Sequence, residues 1–563
     1  MSMNVKRLMR RTGDGKFGGL EGLAALLLVV AAGLWVQFRY MNEFPAFVHA
    51  WAQDDRYALA IGFLSNGFDL FHPETMLYNK QFPGWWEVAS LSTVTAVDFP
   101  LHEYVVAVWM KLLGTTSPWV FRCWTLLCSV AGLFFLYKLA RMLTGSFLKS
   151  LLLVGMAMTA PVYAYYFNGF LPGIPAFAFG VTGLWAYLRF VRSGGRRFFD
   201  AGVACITLAM LMRTTFAIEW VAVLCFELLR MWRKESLLCR ELPVWLLSLA
   251  CFAACFLWNR HLRLENGSLF LNALMPPKSV AEAESLLSDT WSNWGKQYFQ
   301  PLQYLVFVLL ALCAAIRGVL HRRQARAAGL DGGEGKRPVP LGLFVGIYLF
   351  GCLLFALAMM QQLPHHDYYF IDTFFLPLLL GCALLLGNLP VARKRTLRLA
   401  GAFAVCALFL LMLRQVRVTQ QERRWPGDQA YQTYLHFQGA DAFLDSLHVP
   451  AEAKILSLYA YPQNGPFIQM RRKGYSVMWD KESLVRAAFQ WDFAYIVVEN
   501  AVVREHFEER KEVLSRLHRI ADNGRIALCS LSDSLCCASP EAFFAEGELF
   551  PDKTFAEDAV SAL

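Results

Sequence analysis

Two adjacent carboxylates, Asp54 and Asp55, open a helical pattern that follows the first long apolar run of the chain. The pattern continues through Ala58, Ile61 and Leu64, so we expect the pair just inside or at the start of a helix near a membrane surface. A carboxylate fixed in such a place can serve as a general base that takes a proton from a hydroxyl group. Helix capping is the alternative, because Asp is favoured at a helix N-terminus, where it complements the dipole.

A second polar group lies between two later apolar runs and comprises His365, His366, Asp367, Tyr368 and Tyr369. Imidazole N–H groups and Tyr hydroxyls can donate hydrogen bonds to the oxygens of a phosphate. An interfacial aromatic belt with a polar fringe would give the same composition, and this interpretation stays open. Adjacent His ligands converge poorly on one ion, so we expect no metal at the two His residues beside Asp367.

The third candidate is Arg213, which ends the fifth apolar run. A cation at this depth is costly near lipid unless it is paired, and a phosphate is a suitable partner because a guanidinium can hold it through two hydrogen bonds. The alternatives are an ion pair with Glu219 and a side chain that extends to the membrane surface. Lys80 and Arg260, in loops between apolar runs, are further candidates for binding a phosphate or a sugar.

The elements that carry these residues must sit in a bilayer. Of the 563 residues, 56% are hydrophobic, 15% are aromatic and only 17% are charged, which is far from the composition of a soluble domain. The net charge of +9 comes from Lys and Arg clusters between the apolar runs, which favours orientation signals over nucleic-acid binding. The sequence therefore predicts a membrane-embedded protein that does not bind nucleic acid.

About eleven apolar runs are long enough to be predicted as transmembrane helices. They cover residues 20–38, 118–139, 148–166, 173–190, 198–212, 215–231, 242–258, 301–317, 341–360, 369–388 and 397–413. A basic segment, residues 1–19, precedes the first run. Because that run lacks a small-residue cleavage site and many spans follow, we interpret it as an uncleaved first span.

The distribution of positive charge predicts the orientation of these spans. With the basic N-terminus in the cytoplasm, every second loop is cytoplasmic, and those loops hold the Lys and Arg clusters. We therefore expect a multi-pass protein of the cell inner membrane with long external loops at 39–117 and 259–300. Segment 101–114 is too short to span and carries Glu103 and Lys111, so we expect a helix that lies in the interface.

An odd number of spans exports everything after residue 414. In segment 415–563, β-branched or aromatic runs at 454–460, 475–479, 495–498 and 526–531 alternate with helical ones at 428–447, 481–489 and 502–517, which predicts a small extracytoplasmic α/β domain. The predicted fold class is an all-α polytopic membrane protein of about 11 transmembrane helices with this added domain. Its parts are a cytoplasmic segment 1–19, a transmembrane domain 20–414 and the C-terminal domain 415–563.

The first external loop and the next span carry a series of motifs. They are Asp54, Asp55, Arg56 and Tyr57, then Asp98, Phe99, Pro100, Leu101, Tyr104, Lys111, Leu112 and Gly114, and finally Arg122 at the start of the second span. Over residues 20–414 the chain resembles the glycosyltransferase C superfamily, nearest to the protein O-mannosyltransferases and the lipid A aminoarabinose transferases. In those families an acidic residue of the first external loop is the catalytic base. The resemblance implies this role for Asp55 or Asp54, and we favour Asp55.

The stretch from His365 to Tyr369, with Pro377 beyond it, resembles the His-x-Tyr-Tyr stretch that many bacterial members carry before a proline-containing span. The resemblance implies that this stretch and Arg213 bind the donor's phosphate. The chain departs from the lipid A enzymes at Phe99, where they have Lys before the Pro. Segment 168–175, at the end of the third span, holds no carboxylate, so a metal site like that of the oligosaccharyltransferases is not supported.

These features together imply an integral-membrane inverting glycosyltransferase. It would move a hexosyl or pentosyl group from a polyprenyl-phosphate carrier to a hydroxyl of a glycan, lipid or protein on the periplasmic face. No cofactor is required, because cations suffice to stabilise a phosphate leaving group and a metal is optional. Two other functions stay open. An envelope glycan polymerase or ligase would usually lack the early acidic pair, and a lipid-linked glycan flippase or transporter would show charged or helix-breaking residues within spans.

Overall fold

The computed structural model describes residues 17–79, 89–235, 238–268, 273–327, 339–390, 394–478, 482–545 and 548–549. The chain divides into two compact units. Unit 1 comprises Met1–Glu43, Ser117–Phe256 and Ala273–Glu422, and unit 2 comprises Phe44–Thr116, Leu257–Asn272 and Arg423–Leu563. Each unit is therefore assembled from segments that are distant in the sequence.

Helices account for most of the chain up to residue 422. They are α1 Phe17–Gln37, α2 Ala50–Ser65, α3 Leu101–Leu113, α4 Pro118–Thr144, α5 Phe147–Thr159, α6 Pro161–Tyr166, α7 Gly173–Ser193, α8 Arg196–Met212, α9 Ala217–Trp232, α10 Leu238–Asn266, α11 Val280–Tyr298, α12 Pro301–Ala327, α13 Leu341–Ala358, α14 Leu376–Asn388 and α15 Arg395–Glu422. Short 3-10 helices lie at Phe38–Tyr40, Thr214–Phe216 and Met360–His365, and a π-helical turn at Ile371–Phe375 precedes α14.

Over the described residues, 8 helices are long and apolar enough to cross a membrane. They include or overlap α1, α4, α7, α10, α12, α13, α14 and α15. The three other predicted spans are present as shorter helices. Residues 148–166 are divided between α5 and α6, because Pro161 cannot continue the hydrogen bonding of α5, and α8 and α9 have 17 and 16 residues. The polytopic helical fold is confirmed.

Within unit 1, α7 and α8 cross at close distance through Gly183 and Gly202. A Cβ atom at Gly183 would lie 2.7 Å from the carbonyl oxygen of Gly202, and one at Gly202 would lie 2.9 Å from the amide nitrogen of Tyr187. Small residues at such a crossing let two membrane helices approach each other. The crossing fixes α8, which ends at Met212, directly before Arg213.

Segment 101–114, predicted as a short helix that does not span, is α3 of unit 2. It ends where Gly114 adopts a left-handed conformation with φ of 66°, which a side chain would disfavour. Trp109, Leu112 and Leu113 are exposed near its end. The predicted helix is thus confirmed, with a set of exposed apolar side chains that suits an interfacial position.

Unit 2 also contains a six-stranded sheet of order β2-β1-β3-β5-β4-β6. The strands are β1 Ile455–Leu458, β2 Gly474–Val477, β3 Tyr495–Glu499, β4 Leu517–Asp522, β5 Ile526–Leu531 and β6 Glu548–Leu549. Strand β1 pairs in parallel with β2 and β3, with Ile455 opposite Gly474 and Tyr495, whereas β5 is antiparallel to β3 and β4. The predicted α/β domain is confirmed, although β4 and β6 were not among the predicted strands.

The helices of this sheet domain are α16 Gln429–Phe437, α17 Ala440–Ser446, α18 Gly465–Met470, α19 Glu482–Ala488, α20 Asn500–His506, α21 Lys511–Leu514 and α22 Pro540–Ala545. The predicted helix 428–447 is divided at Gly439, whose φ of 73° no regular helix contains. The predicted helix 502–517 is likewise two short helices, and its last residue begins β4.

The first external loop shares its apolar core with the sheet. One cluster contains Ala58, Met76, Leu77, Phe437, Phe467 and Met470. The backbone nitrogen of Gly474 donates to the carbonyl of Met76 at 3.0 Å, and that of Tyr78 donates to the carbonyl of Gly474 at 2.8 Å. Residues 76–78 thus extend the sheet beyond β2, and α2 is held against the C-terminal part of the chain.

Candidate active site

Asp54 and Asp55 lie in the second turn of α2, whose first residue is Ala50. The N-cap position is taken by His49, and no acidic residue stands in the first turn. The capping interpretation is therefore wrong, because the N–H groups that lack partners belong to the start of a helix. The exposed fractions of Asp54 and Asp55 are 0% and 1%. Burying two adjacent carboxyl groups is costly, and such pairs are candidates for a chemical role.

The two carboxyl groups have different surroundings. Asn464 donates a hydrogen bond from Nδ2 to Oδ1 of Asp55 at 2.7 Å. Among the residues that the structure describes, neither carboxyl oxygen of Asp54 has a hydrogen-bond partner. Oδ2 of Asp54 lies 2.7 Å from the point that a Cβ atom on Gly465 would occupy. Asp55 is thus held by an amide, whereas Asp54 lies against a glycine at the start of α18.

Burial sets the protonation of the pair. It raises the pKa of Asp55 from 3.8 to about 7, and the hydrogen bond from Asn464 and the charge of Arg56 offset part of that rise. Burial and then the neighbouring Asp55 raise the pKa of Asp54 well above its usual range. Both shifts favour the protonated carboxyl group, and Asp55 titrates near neutral pH. A base whose pKa lies near the working pH is suited to taking a proton from a hydroxyl group.

The next residue of α2, Arg56, is also buried. Its guanidinium donates to Oε1 of Glu103 on α3 at 2.8 Å and lies 3.9 Å from a carboxylate oxygen of Asp98. The hydroxyl of Tyr57 donates to the carbonyl oxygen of Thr116. Asp98 belongs to the second motif of the first external loop and Glu103 lies within the same segment, so the structure joins the two motifs and fixes α2 against α3.

Arg213, in unit 1, is paired with an acidic residue that the sequence motifs did not reveal. Its Nε donates to Oδ2 of Asp372 at 2.6 Å, and the two side chains are 14% and 2% exposed. Glu219, proposed above as an alternative ion-pair partner, is not the residue that Arg213 contacts here. The guanidinium carbon lies 5.6 and 5.5 Å from the ring centroids of Tyr368 and Tyr369. The structure thus brings Arg213 together with both predicted tyrosines.

Asp372 reaches Arg213 from the π-helical turn Ile371–Phe375. Pro377 has no N–H to donate to residue 373 and its ring would collide with that carbonyl in a regular helix, so the turn before it widens. The hydroxyl of Thr373 donates instead to the carbonyl of Tyr369 at 2.6 Å. The signal in the sequence was an acidic residue inside an apolar span, because such residues are rare and usually paired.

The remaining residues of the His-Tyr stretch separate into different environments. His366 is half-buried, with its ring centroid 5.3 Å from that of Tyr368, whereas His365 is exposed. Asp367 is buried and accepts a hydrogen bond from the hydroxyl of Tyr166 at 2.8 Å. His366 therefore belongs to the Arg213 cluster, and Asp367 holds the loop in place. Within the described part of the chain, no group of three or more His, Cys, Asp or Glu side chains could hold a metal ion.

Three other positions complete the set that the sequence singled out. Lys80 lies outside the described residues. Arg260 is exposed near the end of α10, in unit 2. Asn168, in the segment that holds no carboxylate, accepts hydrogen bonds from Arg122 at 3.2 Å through its backbone oxygen and at 3.4 Å through its side chain.

No sequence pattern revealed Asn464, because it lies 409 positions from Asp55. The available signal was the turn-forming run 461–465, which follows the predicted strand at 454–460. In sheets with parallel strands, ligands bind beyond the carboxyl ends of the strands. A loop of this kind is therefore where functional side chains are expected.

Comparisons with known proteins fit this architecture. Residues 97–258 match the family model described as dolichyl-phosphate-mannose-protein mannosyltransferase, whereas no curated protein sequence matches the chain. The crystal structure of ArnT from Cupriavidus metallidurans bound to undecaprenyl phosphate is similar, with 13% identity and a TM-score of 0.52 over 91% of this chain and 99% of that one.

Two further solved structures are similar at the same level. The Archaeoglobus fulgidus oligosaccharyltransferase, in a complex with Zn and sulfate, has 12% identity and a TM-score of 0.52 over 91% of this chain and 73% of that one. The mycobacterial arabinofuranosyltransferase AftD has 14% identity and a TM-score of 0.50 over 90% of this chain and 41% of that one. At these identities the likeness shows a shared fold. The chain therefore shares the fold of these three proteins, and residues 97–258 match the mannosyltransferase family model.

Proposed function

We propose that the chain is an inverting glycosyltransferase that moves a sugar from a polyprenyl-phosphate carrier to an acceptor hydroxyl on the periplasmic face of the inner membrane. The observation that carries the proposal is the buried pair Asp54 and Asp55, in which the pKa of Asp55 is about 7. The match of residues 97–258 to the dolichyl-phosphate-mannose-protein mannosyltransferase family model supports glycosyl transfer. The likeness to ArnT, solved with undecaprenyl phosphate, supports a lipid phosphate as the carrier.

In the proposed reaction the acceptor oxygen attacks the anomeric carbon of the sugar. Asp55 takes the proton from the hydroxyl group, the bond between the anomeric carbon and the carrier phosphate breaks, and the electron pair leaves with the phosphate. Burial and the neighbouring Asp55 raise the pKa of Asp54, which disfavours a second negative charge in the buried pair during this step. A single displacement with one base inverts the configuration at the anomeric carbon.

We assign the carrier phosphate to Arg213 together with Tyr368, Tyr369 and His366. Guanidinium, hydroxyl and imidazole groups all donate hydrogen bonds to phosphate oxygens. Asp372 holds Nε of Arg213 at 2.6 Å, so it offsets the positive charge and orients the guanidinium. Arg213 would therefore act as an oriented donor within an aromatic cluster rather than as an isolated charge. Such donors are what a departing phosphate requires.

The test is a transfer assay with the purified full-length protein. A panel of radiolabelled polyprenyl-phosphate sugars is incubated with the protein and a cell-envelope extract as acceptor. We expect one headgroup to be transferred, and Asp55→Asn to lower the rate at least about a hundredfold, the usual contribution of a positioned base. Asp69→Asn is the matched control, because Asp69 is a carboxylate of the same loop whose side chain is 45% exposed.

Two results would overturn the proposal. Equal transfer by the parent, Asp54→Asn and Asp55→Asn would show that neither carboxyl group is the base. Failure to transfer any sugar of the panel, under conditions where the protein is folded, would contradict the donor class. The face of the membrane is tested with a short-chain, water-soluble donor added to sealed vesicles, and we expect transfer only in right-side-out vesicles.

A further inference from the structure

The loop that contacts Asp55 occupies a special place in the sheet of unit 2. The chain runs from β1 to β2, which lies on one side of β1, and then to β3, which lies on the other side. The strand order therefore reverses at β1, and the loop that follows β1 begins the crevice in which α/β sheets of this kind bind ligands. That loop carries Tyr461, Asn464 and Gly465.

Helix α2 of the first external loop lies at this crevice. Asn464 is buried and donates from Nδ2 to Oδ1 of Asp55 at 2.7 Å, while its own Oδ1 accepts from the backbone nitrogen of Met76 at 3.4 Å. Since the N–H of Met76 can only donate, the amide oxygen must face Met76 and the amide nitrogen must face Asp55. The orientation of the Asn464 amide is thus fixed from both sides.

We propose that Asn464 is a positioning residue for Asp55, so that the C-terminal domain completes the base of the transferase. This inference rests on the proposed function, because it assigns Asn464 a part in the same reaction. The amide favours the ionised form of Asp55 and fixes the direction of its Oδ1 atom. The other carboxylate oxygen can then accept a proton from the acceptor hydroxyl.

A neutral donor suits this task better than a cation. A hydrogen bond to a buried carboxylate stabilises its charged form, and an adjacent positive charge can lower a carboxyl pKa by about one to three units. A base lowered that far binds a proton too weakly to take one from a hydroxyl at neutral pH. Burial raises the pKa of Asp55 to about 7, and the hydrogen bond from Asn464 is the largest influence that opposes this rise, ahead of Gln463, Arg56 and Trp51.

The other ionisable groups that face Asp55 stay in place when Asn464 is changed. Asp54 and Arg56 come from α2 itself, and Tyr461 comes from the loop after β1. Arg56 is already bound to Glu103 at 2.8 Å. Gln463 and Trp51, which also lower the pKa of Asp55, are retained in the Asn464 variants, so a change in its titration reports on the Asn464 amide.

The experiment titrates Asp55 directly, without using turnover. Infrared difference spectra of the full-length protein follow the carboxyl C=O band with pH, and subtracting the spectra of Asp55→Asn isolates Asp55. We expect a midpoint near pH 7 in the parent. In Asn464→Ala the midpoint should rise by about one to two units, the worth of a hydrogen bond to a buried charged group. The acidic limb of the rate against pH should move with it.

Asn79→Ala is the matched control. Asn79 is also a buried amide of unit 2, and it exchanges hydrogen bonds with the backbone of Ser476, with no contact to Asp55. Asn79→Ala should lower the stability of unit 2 without moving the titration midpoint of Asp55. If Asn464→Ala does not fold, Asn464→Ser, which keeps a shorter donor, should give a smaller upward shift.

An unchanged midpoint in the Asn464 variants would overturn the inference. This outcome is distinguishable from failure of the proposed function. If Asp55→Asn abolishes transfer but the titration midpoint of Asp55 is the same in the Asn464 variants, only the positioning role of Asn464 is refuted. If the titration moves but Asp55→Asn transfers sugar as the parent does, the amide holds a carboxylate that is not the base.

Discussion

The close approach of Asp54 to Gly465 gives a sharp test of the acidic site. In Gly465→Ala the new Cβ atom would lie 2.7 Å from Oδ2 of Asp54, well inside an ordinary van der Waals contact. The next neighbour, a ring atom of Pro462, would be 3.5 Å away, which is acceptable. The φ angle of Gly465 is not in the left-handed region, so alanine adds no backbone strain. The conflict therefore involves Asp54 alone.

The magnitude follows from the burial of both partners. Asp54 is 0% exposed and cannot swing into solvent, so the contact must be relieved by moving α2 or α18. Overpacking by one methyl group in a closely packed site costs about 1–3 kcal/mol. We expect Gly465→Ala to lower the free energy of local unfolding of α2 and α18, called the opening free energy below, by about 1–3 kcal/mol. Gly401→Ala is the control, because a Cβ atom there meets nothing within 4 Å.

A double-mutant cycle with Asp54→Ala isolates the contact. Removing the carboxyl group frees the space that the new methyl group needs, so Gly465→Ala should cost little in the Asp54→Ala background. The coupling energy should be about 1–3 kcal/mol, which is large for a pair that makes no hydrogen bond. Hydrogen exchange read by mass spectrometry reports the opening free energies of peptides from α2 and α18. Additive effects within about 0.5 kcal/mol would refute the proximity of Asp54 to this loop.

Two further predictions concern charge. Because the pKa of Asp55 is about 7 in the folded protein and near 3.8 when unfolded, the folded state keeps a proton that the unfolded state releases between those values. Asp55 should therefore lower the stability of unit 2 by about 4 kcal/mol as pH rises from about 4 to 7, and the raised pKa of Asp54 adds to this fall. Hydrogen exchange corrected for its intrinsic pH dependence should show this, and Asp55→Asn should remove the part that Asp55 contributes. In unit 1, Asp372→Ala should cost about 3–5 kcal/mol in thermal unfolding, because it leaves Arg213 buried without this carboxylate. The double variant Arg213→Leu with Asp372→Leu should recover most of that loss; a double variant as unstable as the single one would contradict the ion pair.

Local patterns were enough to predict the elements that carry the candidate residues. The apolar run before Asp54 and the helical spacing after it predicted α2, and the length of segment 101–114 predicted α3. These two predictions depend on hydrophobic length and period, which a sequence shows directly. The grouping of Arg213 with the two tyrosines came instead from the resemblance to the glycosyltransferase C superfamily.

Contacts between distant segments could not be predicted in this way. Asn464 and Asp55 meet because residues 76–78 pair beside β2, and nothing in the first loop indicates that pairing. The pairing of Asp372 with Arg213 was not predicted for another reason. Asp372 stands in an apolar segment whose π-helical turn, imposed by Pro377, changes the direction of its side chain. Strand β4 was missed because its residues His518 and Arg519 interrupt the apolar pattern that predicts a strand.

The succession Asp54, Asp55 and Arg56 shows how neighbours in sequence acquire separate tasks. Residues of a helix project about 100° apart, so Arg56 points to α3 while Asp54 and Asp55 meet neighbouring residues of the loop after β1. Arg56 faces Glu103 of α3, Asp55 faces Asn464 and Asp54 faces Gly465. The charge of Arg56 lowers the pKa of Asp55 only in part, and burial keeps that pKa at about 7. Arg56 is at the same time bound to Glu103 at 2.8 Å, so α3 balances its charge. The carboxyl group of Asp55 can therefore exchange a proton near neutral pH.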